Sequence, residues 1–378
     1  MKYSIKTRQI CFFLIAFLPI TKMFMMPSIV AGVSGEDMWI STILNLFLDG
    51  TTIFFLITFC KNEDGDFFDV IEKYFGKVAK KIFLVLYLIY FLLKGYVPIN
   101  EQKDYVEQTL FITMPNILTF LPFFVLAVYL CVQPIKVYGR CSDIMWIVTL
   151  VGTLLLISLS ITNINLEALL PIGAQKVENV FKASYKSLTW FGESAYLLFF
   201  IGKFQYKKGD GKKIYLSYLL SSILVVAFSI LFYCTFTSVA YRQRFALTEI
   251  SKYNTVINNL GRFDYVGIML ILFSTSFSLV LPMFFSCKIL QKLFPIKRKW
   301  IYSILVSLFY IILLTVFAEY AYSLEIFTLT YASGIFLIFS NILPIVVCII
   351  KGIIDKKNKT TPYNSIAPTK KTYKKEIS

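Results

Sequence analysis

The chain contains no histidine. That removes imidazole proton relays, the His-based nucleophilic triads and the commonest transition-metal ligand. Charge is scarce as well: 16% of the 378 residues are Asp, Glu, Lys or Arg, where a soluble domain carries about a quarter. The seven cysteines include no CxxC pair, so zinc-ribbon and thioredoxin-type motifs are both excluded. Without a nucleophile–base pair or a metal-ligand cluster the chain does not read as an enzyme, and neither a cofactor nor a metal is expected.

What is present is hydrocarbon. Hydrophobic residues make up 57% of the chain, and the mean hydropathy is +0.69. Apolar runs of about 20 residues recur throughout, each long enough to cross a ~30 Å hydrocarbon layer. Ten spans are read, at about 10–33, 39–59, 82–106, 116–133, 144–162, 184–204, 214–238, 263–287, 300–318 and 326–350. The fold class is therefore all-α, a polytopic membrane protein in a lipid bilayer. The first apolar stretch is too long for the core of a signal peptide and leads directly into further spans.

The net charge of +16 would suggest nucleic acid in a soluble protein. Its distribution gives another reason. Basic residues in the first or last turn of a span are counted here with the adjoining loop. On that count 28 of the 38 Lys and Arg fall in the N-terminus, every second loop and the tail, against eight in the opposite loops. The asymmetry predicts that both termini are cytoplasmic and that no nucleic acid is bound. Cys11, Cys60, Cys131, Cys141, Cys287 and Cys348 then lie toward the inside and Cys234 alone toward the outside. That suits a reducing compartment.

Between spans, KNEDGDFFDVIEKYFGKVAKK places Phe67, Phe68, Ile71 and Tyr74 at the spacing of an amphipathic surface helix. The outer loops around 163–187 and 246–263 are expected to form short interfacial helices. Residues 1–350 are read as one permease-like domain, and 351–378 as a disordered basic tail whose eight lysines face anionic lipid.

Two spans are interrupted. Span 1 holds Pro19 and Pro27, each removing a backbone donor, with Thr21 and Lys22 between them. Span 6 holds Phe191, Gly192, Glu193 and Ser194 in an otherwise aromatic run. Two five-span halves, about 10–162 and 184–350, each opened by a broken helix, are the pointer to a 5+5 inverted repeat with its site at the midplane.

Four ionisable residues fall near span centres: Lys22, Asp49, Lys94 and Glu193. Each costs roughly 2.5–3.5 kcal/mol to insert, and their formal charges sum to zero. They are read as a substrate-binding constellation with Pro19, Thr21, Phe191 and Gly192. The alternative is an ion-pair network without a ligand, with Lys94 snorkelling and Asp49-Gly50 forming a packing contact. In span 8, Ser274, Thr275 and Ser278 offer hydroxyls for a cation site, or simply bond back to their own helix. Broken helices present free N–H groups to a carboxylate and free carbonyls to an ammonium, so a zwitterion such as an amino acid suits the site.

A series of segments resembles one family. PSIVAGVSGEDMWISTILNLFLD is similar to the helix 1–2 region of the spore germination permeases. TMPNILTFLPFFVLAVYLCVQPIKVYGRCSDI resembles their helix 3–5 region, with Thr113-Met114-Pro115 at the turn. LLPIGAQKVENVFKASYKSLTWFGESAYLLFFIG resembles their outer loop and broken helix 6, and NNLGRFDYVGIMLILF the entry to helix 8. The resemblance implies the ten-helix fold of the amino acid–polyamine–organocation superfamily and a nutrient germinant bound at the helix 1 and helix 6 breaks. It also implies two protein partners, an A-type receptor subunit and a lipoprotein subunit, and a location in the bacterial cell membrane or spore inner membrane. Where relatives carry a glycine-containing turn in helix 1, this chain has Pro19-Ile20-Thr21-Lys22, so Lys22 stands where a ligand ammonium or a sodium ion would. An ion-coupled transporter of amino acids or small amines is the alternative function.

Overall fold

A computed structural model describes residues 5–60, 65–109, 116–160, 164–204, 206–252 and 264–360. Among them every regular element is helical, apart from a single bridge between Ile5 and Phe204. Six helical runs are long and apolar enough to cross a membrane: Met26–Phe59, Phe67–Gln108, Ile135–Ser158, Asp210–Arg242, Ile268–Leu293 and Ser333–Lys357. Trp300–Thr315 and Ala318–Thr330, bent by 70°, make a seventh if taken as one span, and Leu118–Val132 is a shorter apolar helix. The protein is an all-α polytopic membrane protein.

The first expected span is three pieces, α1 (Thr7–Phe17), a 3-10 turn (Ile20–Met23) and α2 (Met26–Ser34). α1 stops where Pro19 has no N–H to continue it, and Pro27 sits in the first turn of α2, where a missing donor costs nothing. Gly35, at φ 49°, turns the chain into α3 (Met38–Cys60). α4 (Phe67–Thr109) follows, kinked at Gly76, then α5 (Asn116–Val132) and α6 (Ile135–Ser160). The second interrupted span comprises α7 (Val177–Ser187), a 3-10 turn (Leu188–Trp190), extended Phe191, and the single-turn α8 (Ser194–Leu197). α9 (Asp210–Phe236), α10 (Ala246–Lys252), α11 (Asp264–Leu293), α12 (Trp300–Thr315) and α13 (Ala321–Thr330) come next. The last span is α14 (Ser333–Leu337), a π turn (Ile338–Ile342) and α15 (Leu343–Thr360).

Side-chain exposure follows the expected solvent. Ile82, Val85, Leu86 and Ile89 on α4, and Leu216, Leu219, Leu220 and Ile223 on α9, are exposed at helical spacing, stripes for acyl chains rather than water. The buried faces carry the polar groups. Asn45 of α3 donates to the Ser184 carbonyl at 2.8 Å and to Ser187 Oγ at 2.9 Å, and Ser184 Oγ donates back to Asn45 at 2.7 Å. These bonds fix α7 against α3 and so set where the second break falls.

Three expectations between spans are modified. Residues 67–75 are helical, but Phe67, Phe68 and Ile71 are fully buried, against Tyr87 and Phe199 among others, rather than laid on the membrane surface. In the outer loops, the stretch 163–187 forms a 3-10 turn at Leu166–Leu169 and the expected helix as α7, whereas α10 packs inward, its Ala246 N–H donating to the Phe24 carbonyl at 3.0 Å, and residues 253–263 lie outside the described ones. The last helix runs past 350 to Thr360, anchored where Lys351 Nζ donates to the Phe59 carbonyl at 2.5 Å. Thr113-Met114-Pro115 and the tail from 361 lie outside the described residues.

The N-terminus is tied to the turn before α9. Asp210 accepts from Thr7 Oγ1 at 2.7 Å and from the Lys207 N–H at 3.0 Å. Asp210→Asn is expected to raise amide exchange of residues 5–10 several-fold at neutral pH without affecting the core. Unchanged exchange in that segment would show that the contact does not anchor it.

Candidate functional site

Breaking a helix frees backbone groups that the surroundings must satisfy. At the end of α1, Ser221 Oγ of α9 donates to the Leu14 carbonyl at 2.9 Å, and Thr149 Oγ1 of α6 to the Ala16 carbonyl at 3.1 Å. Ser278 Oγ of α11 reaches the Phe17 carbonyl at 3.5 Å, and Lys22 Nζ the Leu18 carbonyl at 3.0 Å. The second break is satisfied in the same way. The Gly192 N–H donates to Asp49 Oδ2 at 2.8 Å, Tyr90 OH donates to the Gly192 carbonyl at 3.3 Å, and Lys94 Nζ donates to the carbonyls of Thr189, at 2.8 Å, and Phe191.

The two breaks meet. Lys22 Nζ and Glu193 Oε2 lie 2.6 Å apart, with the two side chains 0% and 5% exposed. Thr21 Oγ1 is 3.4 Å from the other Glu193 oxygen, and the Lys22 ammonium sits 5.0 Å from the Phe191 ring centroid. A buried pair of this kind is stable only because its remaining valences are filled, here by the Leu18 carbonyl, the Thr21 hydroxyl and the ring face.

The second acid, Asp49, is 1% exposed. It is held by the Gly192 amide and by Ser194 Oγ at 3.4 Å. Oriented so that both its polar atoms are satisfied, the Asn341 amide also donates to Asp49 Oδ1, at 3.1 Å. Asn341 and Ser340 belong to the π turn of the last span, a third irregularity aimed at the same place. Gly192 has φ 90°, and a Cβ built on it would lie 2.7 Å from Ser340 Cβ. Only glycine fits there.

The centre is closed from both sides. On the α2 side, Phe24 packs edge-on against Tyr105, which packs against Phe245. On the α1 and α8 side, Phe13, Tyr196, Phe91 and Phe285 form a contiguous aromatic layer. Farther in, the Phe67 N–H donates to the Leu198 carbonyl at 3.1 Å, and Lys292 pairs with Asp66 and, at 3.6 Å, with Asp69.

Every charged residue picked out at mid-depth therefore falls in one region: Lys22, Asp49, Lys94 and Glu193, with Pro19, Thr21, Phe191 and Gly192 as backbone and wall. Lys94 is 2% exposed and points at carbonyls rather than toward an interface. Gly50, beside Asp49, does pack on Tyr218. Ser274 Oγ is 2.5 Å from Thr149 Oγ1, Thr275 Oγ1 donates to Ile271 of its own helix, and Ser278 alone reaches the break of the first span. Sequence reasoning placed Ser194 in the break without a site role and missed Tyr90, Ser340, Asn341 and the buried Glu101, which accepts from Trp190 Nε1 at 2.7 Å. The polar pair Ser340-Asn341 in an apolar span was the available signal for two of these.

A family model described as spore germination protein matches residues 4–322. Among curated proteins no match is found. The matched stretch covers well over half of the chain, which therefore belongs to the spore germination protein family and is a germination-related, permease-like integral membrane protein.

Proposed function

We propose that this member of the spore germination family is the permease-like subunit of a germinant receptor, and that it binds a small zwitterionic nutrient, an amino acid by preference, between its two broken helices. The observation that carries the reading is the Lys22–Glu193 pair at 2.6 Å, buried where the breaks face one another. A zwitterion exchanges with such a pair without any change in net charge. Its carboxylate takes Lys22 and its ammonium takes Glu193, while Asp49, Lys94 and Gly192 hold the second break in register.

Binding signals only if the ligand prefers one of two states of the protein. The aromatic layers on both sides and the Lys292–Asp66 pair describe a closed state, and ligand-linked opening of one side is the proposed response. Ten spans in a 5+5 inverted repeat, with both termini cytoplasmic, an A-type subunit and a lipoprotein subunit as partners, complete the proposal. Purified protein is to be screened against the twenty amino acids by thermal unfolding, then tested for uptake in proteoliposomes. Stabilisation by one or a few of them without accumulation is the expected result. Concentrative uptake driven by an ion gradient would make the chain a transporter, and no stabilisation by any small zwitterion would remove the ligand from the account.

A further inference from the structure

The amine of Lys94 makes contacts of a different kind from those of Lys22. Among the described residues its charge meets no carboxylate at ion-pair distance. It donates instead to two backbone carbonyls, Thr189 at 2.8 Å and Phe191, which the second interrupted span releases by breaking there. Glu193 and Asp49 are close enough to attract it through space, and the Lys22 ammonium, paired with Glu193, is close enough to repel it. Converging carbonyl oxygens beside acidic side chains, in a setting closed to water, are the donor set of a cation site. Tyr90, one turn earlier on α4, donates to the next carbonyl along the break, that of Gly192, at 3.3 Å.

We infer that the carbonyls of Thr189 and Phe191 form a cation site occupied by the chain's own ammonium, and that a small primary alkylammonium ion takes the place when the Lys94 side chain is shortened. A primary ammonium fits because it carries three N–H donors and no acceptor, and the site offers only acceptors. A quaternary ammonium has the charge without the donors. With the site filled from within, the second break is held to α4 without any bulk ion, and movement of the second interrupted span must break two charge-assisted hydrogen bonds. The inference concerns the protein without ligand, so it stands or falls independently of the proposed nutrient.

The test is thermal unfolding of the full chain in lipid nanodiscs, comparing the native protein with Lys94→Ala in choline, sodium, propylammonium and tetramethylammonium chlorides at equal ionic strength. The native midpoint is expected to be the same in all four. Lys94→Ala is expected to fall by about 5 °C or more, with at least half the loss restored by propylammonium and none by tetramethylammonium. A Lys94→Ala midpoint equal to native, or equal rescue by both ammonium ions, would overturn the inference. If Lys94→Ala does not accumulate in membranes, Lys94→Gly and Lys94→Met serve. Propylammonium should stabilise the first, where there is room, and not the second, where the thioether fills it. Stabilisation of both or of neither would overturn the inference as well.

Discussion

Lys22→Met is expected to destabilise the protein by about 3–5 kcal/mol, because it leaves the Glu193 carboxylate buried and unpaired. Glu193→Gln should cost a similar amount by stranding the ammonium. The double variant removes both charges together, and its loss is expected to be clearly smaller than the sum of the singles. The geometry behind this is the 2.6 Å separation, with neither side chain more than 5% exposed. Chemical denaturation of the four proteins in one detergent gives the coupling energy. Strictly additive losses would mean that the two groups do not interact. In function, the double variant is expected to fold yet lose its response to any zwitterion, which separates a binding role from a purely structural one.

Gly192→Ala is the second large effect. Its backbone sits at φ 90°, a region costly for any residue with a side chain, and the new methyl carbon would stand 2.7 Å from Ser340 Cβ. Strain and overlap together are expected to cost about 2–4 kcal/mol. Gly173 provides the control. It has φ 78° but nothing within 4 Å of a built Cβ, so its alanine variant carries strain alone and should lose less. Pairing Gly192→Ala with Ser340→Gly should recover part of the loss. If all three variants unfold at the native midpoint, the third irregular segment does not press on the second break.

Much of this arrangement was legible in the sequence for physical reasons. A charge at the centre of a span is expensive, so Lys22, Asp49, Lys94 and Glu193 stood out individually, and their neutral sum suggested a shared interior. Pro19, Pro27 and Gly192 marked the breaks because each alters backbone hydrogen bonding in a known way. The partners of the freed carbonyls were hidden. Serine, threonine and tyrosine occur throughout such spans, and nothing local distinguishes Ser221, Thr149 or Tyr90 from hydroxyls that bond to their own helix. Glu101 was obscured because the polar run Asn100 to Lys103 reads as the approach to an interface, whereas all four residues are buried. The helix at 67–75 was recognised by its periodicity, but periodicity does not say whether lipid or protein covers the apolar face, and here it is protein.

The central claim is that the two broken helices meet at positions 22 and 193. Its most direct test is cross-linking in native membranes by a short bis-methanethiosulfonate reagent, whose span replaces the two long side chains that meet at 2.6 Å, with Lys22→Cys and Glu193→Cys introduced together on a cysteine-free background. The pair Asn45→Cys and Ser184→Cys, whose native side chains are 2.7 Å apart, serves as the reference. The account predicts that both pairs cross-link and that a bound nutrient suppresses the 22–193 link alone. Cross-linking of the reference pair with none between 22 and 193 would contradict it.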